Sequence, residues 1–161
     1  MNALARNTVL AEREDTITRI FAAPRALVFA TWTDPKHLAQ WWGPKGFTNP
    51  VREFDARVGG VFRIHMRGPD GTIYPMKGEI RELIAPERLV FTSIALDGDG
   101  NHIIEGLTTV IFTEVGGKTR MTLHARAGAV AEIAVSYLQG MEAGWTQSID
   151  KLEGYLAGTS A

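Results

Sequence analysis

A chain of 161 residues with a formal net charge of −1 is long enough to bury one hydrophobic core, and its near-neutral balance argues against a strongly basic nucleic-acid binder. With 45% hydrophobic and 22% charged residues, the composition is that of an ordinary globular domain and excludes disorder as the main state. There is no cysteine, which excludes disulfides, thiolate metal sites and a cysteine nucleophile together.

The N-terminal residues carry no apolar h-region, and no stretch approaches the ~18 apolar residues of a membrane span. The expectation is an unprocessed cytoplasmic protein with no integral membrane segment. It has a flexible N-terminal arm over 1–13 and a single domain over 14–158. From Asp15 to Phe21 a short β-branched run reads as an edge strand that stops at Ala23-Pro24. Proline suits a first helical turn, and Leu27, Val28 and Trp32 recur at helical spacing as far as Thr33. Asp34-Pro35 repeats the start signal and opens a second short helix through Trp42, ended by Gly43-Pro44.

From Phe47 to Ala127 the period changes to two. Strands are predicted over Thr48 to Arg57, Val61 to Arg67, Thr72 to Ile84, Leu89 to Leu96, Ile103 to Val115 and Thr119 to Ala127. Gly59-Gly60, Pro69-Asp70-Gly71, Pro86-Glu87, the run from Asp97 to Gly100, and Gly116-Gly117 punctuate them as turns. Connections this short impose antiparallel pairing, because parallel neighbours need long crossovers.

Val130 to Ala157 is predicted as one long helix, with Ala134, Leu138, Met141, Trp145, Ile149, Leu152 and Leu156 on a single apolar stripe. At about 28 residues it would be roughly 42 Å long, and only the sheet is broad enough to cover its stripe. Alternation places Phe62, Ile64 and Met66, then Tyr74, Met76, Gly78 and Ile80, then Met121, Leu123 and Ala125 on the inner face. Phe91, Val110 and Phe112 are assigned inward as well. Glycines 59, 60, 78 and 106 let the sheet curl, and inward methionines suit an adaptable lining. Periodicity by itself leaves a solid core and a ligand-sized hollow both open.

The order of strand, two short helices, antiparallel meander and terminal helix resembles the α+β helix-grip fold of the START-like (SRPBCC) superfamily. In that fold, a strongly curved antiparallel sheet of about seven strands wraps a long C-terminal helix. Pro24-Arg25-Ala26-Leu27-Val28-Phe29, Trp32-Thr33-Asp34-Pro35 and Trp41-Trp42-Gly43-Pro44 resemble the opening of the branch related to the activator of a heat-shock-protein ATPase. So do Gly59-Gly60-Val61-Phe62-Arg63, the block from Pro86 to Phe91, and Gly140-Met141-Glu142-Ala143-Gly144-Trp145. The resemblance runs from about Glu14 to Leu156. It implies a cavity between sheet and helix that takes lipids, sterols, polyketides or plant hormones.

The candidate cavity lining is Trp41, Trp42, Phe62, Ile64, Met66, Tyr74, Met76, Phe91, Phe112, Met141 and Trp145. Adjacent residues on a helix diverge by about 100°, so one of Trp41 and Trp42 is expected to pack while the other caps the cavity mouth or a partner surface. Trp145 is expected to form a wall, where its indole N–H can also donate to a ligand. His65 and His124 fall on the charged outer face. His102 and Glu105 lie near a Gly-rich turn without specific spacing, and no histidine pairing suits a helical zinc site. No nucleophile elbow, phosphate loop or dinucleotide fingerprint is present. The expected occupant is a small hydrophobic molecule, with no metal, cofactor or nucleic acid. A cyclase or aromatase reaction in the same cavity is the first alternative, and a chaperone-activating or stress-response interaction module the second. A homodimer and a chaperone partner remain open.

Overall fold

The computed structural model describes residues 8–159. The elements run β1 (Ala11–Phe21), α1 (Arg25–Thr33), α2 (Pro35–Trp41), β2 (Thr48–Phe54), β3 (Val61–Arg67), β4 (Ile73–Ile84), β5 (Arg88–Leu96), β6 (His102–Val115), β7 (Lys118–Ala129), α3 (Glu132–Gln139) and α4 (Met141–Thr159). The seven strands form one antiparallel sheet in the order β1-β7-β6-β5-β4-β3-β2. Thus β2 to β7 are a meander, and β1 closes on β7, pairing Ala11 with Ala129 through Phe21 with Thr119. This is the α+β helix-grip fold, with α1 and α2 spliced between β1 and β2.

Local chemistry sets the boundaries. The Asp34 carboxylate accepts from the Lys36 N–H at 2.9 Å and Pro35 takes the first helical position, so α1 ends and α2 begins within two residues. Asp97 accepts from the N–H groups of Asp99 and Asn101, both at 2.9 Å, and so closes the β5–β6 turn. Two register shifts, between Ile80 and Glu82 and between Ala95 and Leu96, explain why alternation blurs along β5 and β6. Gly78 faces β5 so closely that a Cβ would overlap the Thr92 carbonyl, and there the Thr92 hydroxyl accepts from the Glu79 N–H at 2.9 Å.

Two expectations need correction. First, β1 starts at Ala11 and not at Asp15, so residues 11–13 of the expected arm belong to the sheet; residues 1–7 of that arm lie outside the described residues. Second, the terminal helix is not continuous. The chain stays extended to Ala129, forms α3, breaks at Gly140 (φ −94°, ψ 1°) and restarts as α4. Each piece has its own bed. Ala134 and Leu138 of α3 pack on Ile103, Ala127 and Ala129, whereas Ile149, Leu152 and Leu156 of α4 join the main aromatic core. The break falls at a glycine, the residue that after proline has the weakest hold on the helical state.

Candidate functional site

Register assigns the inner face row by row. One row, Ile80–Phe91–Thr108–Ala125–Asp15, crosses five strands and is buried throughout. The next but one, Ile64–Met76–Ala95–Ile104, retains solvent contact at Met76, Ala95 and Ile104. Beyond it, the cross-strand pair Met66–Tyr74 is also half-buried. On the helical side Met141 and Trp145, the first turn of α4, are half-buried too, and Met141 touches both core clusters. These inward-facing side chains keep partial solvent contact at the margin of the core.

The eleven residues of the expected lining therefore divide into two groups. Met66, Tyr74, Met76, Met141 and Trp145 are half-buried. Trp41, Trp42, Phe62, Ile64, Phe91 and Phe112 are buried. Their rings touch: Phe62 lies 4.8 Å from Phe91, Trp42 lies 5.3 Å from Phe62, and Trp42 meets Trp145 edge-on at 5.5 Å. The deeper part of the lining is thus filled by its own aromatic side chains.

The expectation that Trp41 and Trp42 diverge, with one at the mouth, is not what occurs. Both are buried. Trp42 is the C-cap residue of α2 and is already extended (φ −63°, ψ 137°), so helical geometry no longer separates the two rings. Trp41 donates its N–H to the Thr31 carbonyl at 2.9 Å, and Asn49 fixes the exit by donating to the Trp42 carbonyl at 2.9 Å. From α4, Gln147 accepts from the Lys45 N–H at 3.0 Å, and Lys151 reaches the Gly43 carbonyl at 3.2 Å. Farther along, His37 and Tyr155 share a 2.7 Å hydrogen bond between α2 and α4.

Sequence reasoning missed three features of this interior. Trp32, which helical spacing and the Trp32-Thr33-Asp34-Pro35 motif single out but the candidate lining omits, is the fully buried hub of the ring cluster, 4.7 Å from Trp41, 6.1 Å from Trp42 and stacked on Trp145 at 6.1 Å. Its Nε1 has no hydrogen-bond partner among the described residues; Asn49 Oδ1 is the other such buried atom. Asp15 faces inward from β1, buried and held by Arg13 Nε at 2.9 and 3.1 Å. Alternation along β1 could have shown that pair, because Arg13, Asp15, Ile17 and Arg19 share one parity with Phe21. Lys151 lies outside the apolar stripe, and its carbonyl partners are more than a hundred residues away.

Elsewhere, an open depression of about 280 Å³ lies on the outer face, lined by Lys77, Glu79, Arg81, Ile94 and Glu105 around Gly78 and Gly106. A smaller one of about 160 Å³ separates β1 from α3 at Arg13, Leu138 and Gln139. His102 bonds Glu105 at 2.8 Å, and His124 pairs with Glu14 at 3.0 Å. Among the described residues no group of three or more His, Asp or Glu is placed to hold a metal ion, and no helix is long and apolar enough to cross a membrane.

A protein-family model, Activator of Hsp90 ATPase homolog 1-like protein, matches residues 22–157. The chain belongs to that family. Solved structures agree with this AHSA1-like assignment. The AHSA1 protein from Silicibacter pomeroyi is 28% identical, with a TM-score of 0.77 over 90% of this chain and 98% of its own. A protein from Mycobacterium smegmatis is also 28% identical, with a TM-score of 0.72 over 92% and 97%. One from Arthrobacter aurescens is 27% identical, with a TM-score of 0.75 over 94% and 93%. No curated protein matches the chain. An AHSA1-like fold of the SRPBCC type supports a ligand-binding or activator-like module.

Proposed function

We propose that the chain binds a small, largely apolar molecule, lipid- or polyketide-like, between the inner face of β3–β5 and the first turn of α4. The observation that carries this reading is the set of inward-facing but solvent-contacting side chains Met66, Tyr74, Met76, Met141 and Trp145. Three of the five are methionines, whose unbranched thioethers adapt to varied apolar shapes. A ligand burying about 200 Å² of apolar surface gains roughly 5 kcal/mol, a Kd of about 0.2 mM, before any polar contact is added. Titrations must therefore extend into the millimolar range.

The interaction-module reading needed Trp41 or Trp42 at the surface for a partner to cover, and both are buried in the chain's own core. A cyclase needs an inward acid or base free to move protons; the inward acid Asp15 is already held by Arg13. Binding alone is therefore the better-supported reading. The test is native mass spectrometry of the purified protein, together with tryptophan-fluorescence titration of apolar probes. Saturable binding that Trp145→Ala alters is expected. Absence of copurified ligand together with no probe binding up to solubility would overturn the reading.

A further inference from the structure

The ring cluster contains one polar group that nothing in the fold uses. Trp32 is fully buried among Trp41, Trp42, Phe112 and Trp145, and its Nε1–H has no acceptor among the described residues. The neighbouring Trp41 donates its own N–H to a carbonyl at 2.9 Å. A buried donor left unmatched has lost its hydration without replacement, and such groups are rare enough to require a cause. The ring lying over Trp32 is Trp145, nearly parallel at 25°. Trp145 is also the half-buried tryptophan of the four, one turn from the half-buried Met141.

We infer that Trp32 Nε1–H is the hydrogen-bond donor for the interior's ligand, and that this ligand carries a neutral acceptor oxygen, a carbonyl or ether, at its leading end. The inference rests on the ligand-binding reading above and specifies its chemistry. The oxygen meets the donor in the plane of the Trp32 ring, the direction in which an indole N–H points. The acceptor is neutral because the groups packed around Trp32 are aromatic rings: their faces carry negative potential, and none supplies a counter-charge for a carboxylate. Desolvating an unpaired anion there costs far more than desolvating a carbonyl. The competing account is that the Trp32 N–H points at the face of a neighbouring indole, since Trp41 stands edge-on to it at 63°.

Two rigid probes of nearly the same shape separate these accounts: fluorene, a hydrocarbon, and fluoren-9-one, its ketone. The wild-type chain is titrated with each while the indole N–H resonances, assigned by through-bond correlation, are followed by NMR. The expected result is about tenfold tighter binding of the ketone, the scale of one neutral hydrogen bond, with a downfield shift of the Trp32 Nε1 proton that fluorene does not produce. In Trp32→Phe the two probes should bind alike, at the affinity fluorene has for the wild type. If both bind the wild type equally and the Trp32 proton does not shift downfield with the ketone, the donor role is overturned and the ligand-binding reading stands. If neither binds, the donor role is overturned, and the ligand-binding reading falls with it when no copurified ligand is found either. Should Trp32→Phe not fold, the wild-type titrations decide by themselves.

Discussion

Lys151 Nζ lies 3.2 Å from the Gly43 carbonyl oxygen and 3.5 Å from those of Trp42 and Pro44, so one ammonium holds three consecutive carbonyls at the end of α2. Cations near a helix C-terminus meet its unpaired carbonyls favourably. Gly43 makes the turn possible with φ +96°, a conformation that residues with a Cβ rarely adopt. Gln147, one helical turn before Lys151, takes the Lys45 N–H. The same face of α4 thus clamps the loop whose exit geometry brings both Trp41 and Trp42 into the core.

That clamp has a pH signature. Burial lowers the Lys151 pKa below its ordinary 10.5. The unfolded chain therefore binds more protons than the folded one between the lowered value and 10.5, so Lys151's contribution to stability increases with pH through that window. Denaturant titrations from pH 7 to 11 should show this rise, superposed on other groups, and Lys151→Met should remove its share. If the variant's pH profile parallels the wild type's, the ammonium is not desolvated as described.

Two glycines should respond oppositely to alanine. A Cβ at Gly78 would overlap the Thr92 backbone carbonyl, which cannot yield without parting β4 from β5, so Gly78→Ala should cost about 1–3 kcal/mol or more. At Gly140 the nearest atom to a Cβ is the Tyr137 carbonyl at 3.8 Å, and φ is negative. Gly140→Ala should stabilise by about 0.4–1 kcal/mol through loss of unfolded-chain entropy. Thermal melts of both variants check the pair, and a destabilised Gly140→Ala would show that the break needs glycine itself.

The sheet was legible because side-chain alternation and turn glycines are local signals, and the order of β2 to β7 follows from short connections alone. The break at Gly140 was not, because Leu138, Met141 and Trp145 continue the three- and four-residue steps through it; only the separate clusters that α3 and α4 pack against set the two helices apart. The inward face of β3 and β4 was read correctly. The burial of both Trp41 and Trp42 was not, because it depends on the chain leaving helical geometry at Trp42. Contacts spanning more than a hundred residues, such as Lys151 with Gly43, leave no periodic trace at all.

On the edge strand β1, inward charges occupy positions where apolar residues would be ordinary: Arg13, Asp15 and Arg19, the last paired with Asp150 at 2.8 Å and Glu153 at 2.9 Å on α4. Inward charges at an edge discourage pairing with another chain. Arg13→Met should lower the melting temperature, because it leaves the buried Asp15 carboxylate without its donor. Arg13→Met combined with Asp15→Leu should recover most of that loss. Light scattering on the double variant should then show more association than the wild type if the charges also protect the edge.

The two fully buried indoles beside each other should differ sharply when shortened to phenylalanine. The Thr31 carbonyl would ordinarily accept from the N–H four residues on, but that residue is Pro35, which has none; the Trp41 indole supplies the bond at 2.9 Å. Trp41→Phe removes this donor and leaves a buried carbonyl unsatisfied. Trp32→Phe removes a donor that has no partner. Both variants lose comparable ring volume, so the packing penalty is largely shared between them. Trp41→Phe should therefore be the less stable by about 1–3 kcal/mol. Urea unfolding with unchanged m-values reads the difference directly. Equal midpoints would mean that the Thr31 carbonyl finds another donor, and that proline at position 35 is no reason for a tryptophan at 41.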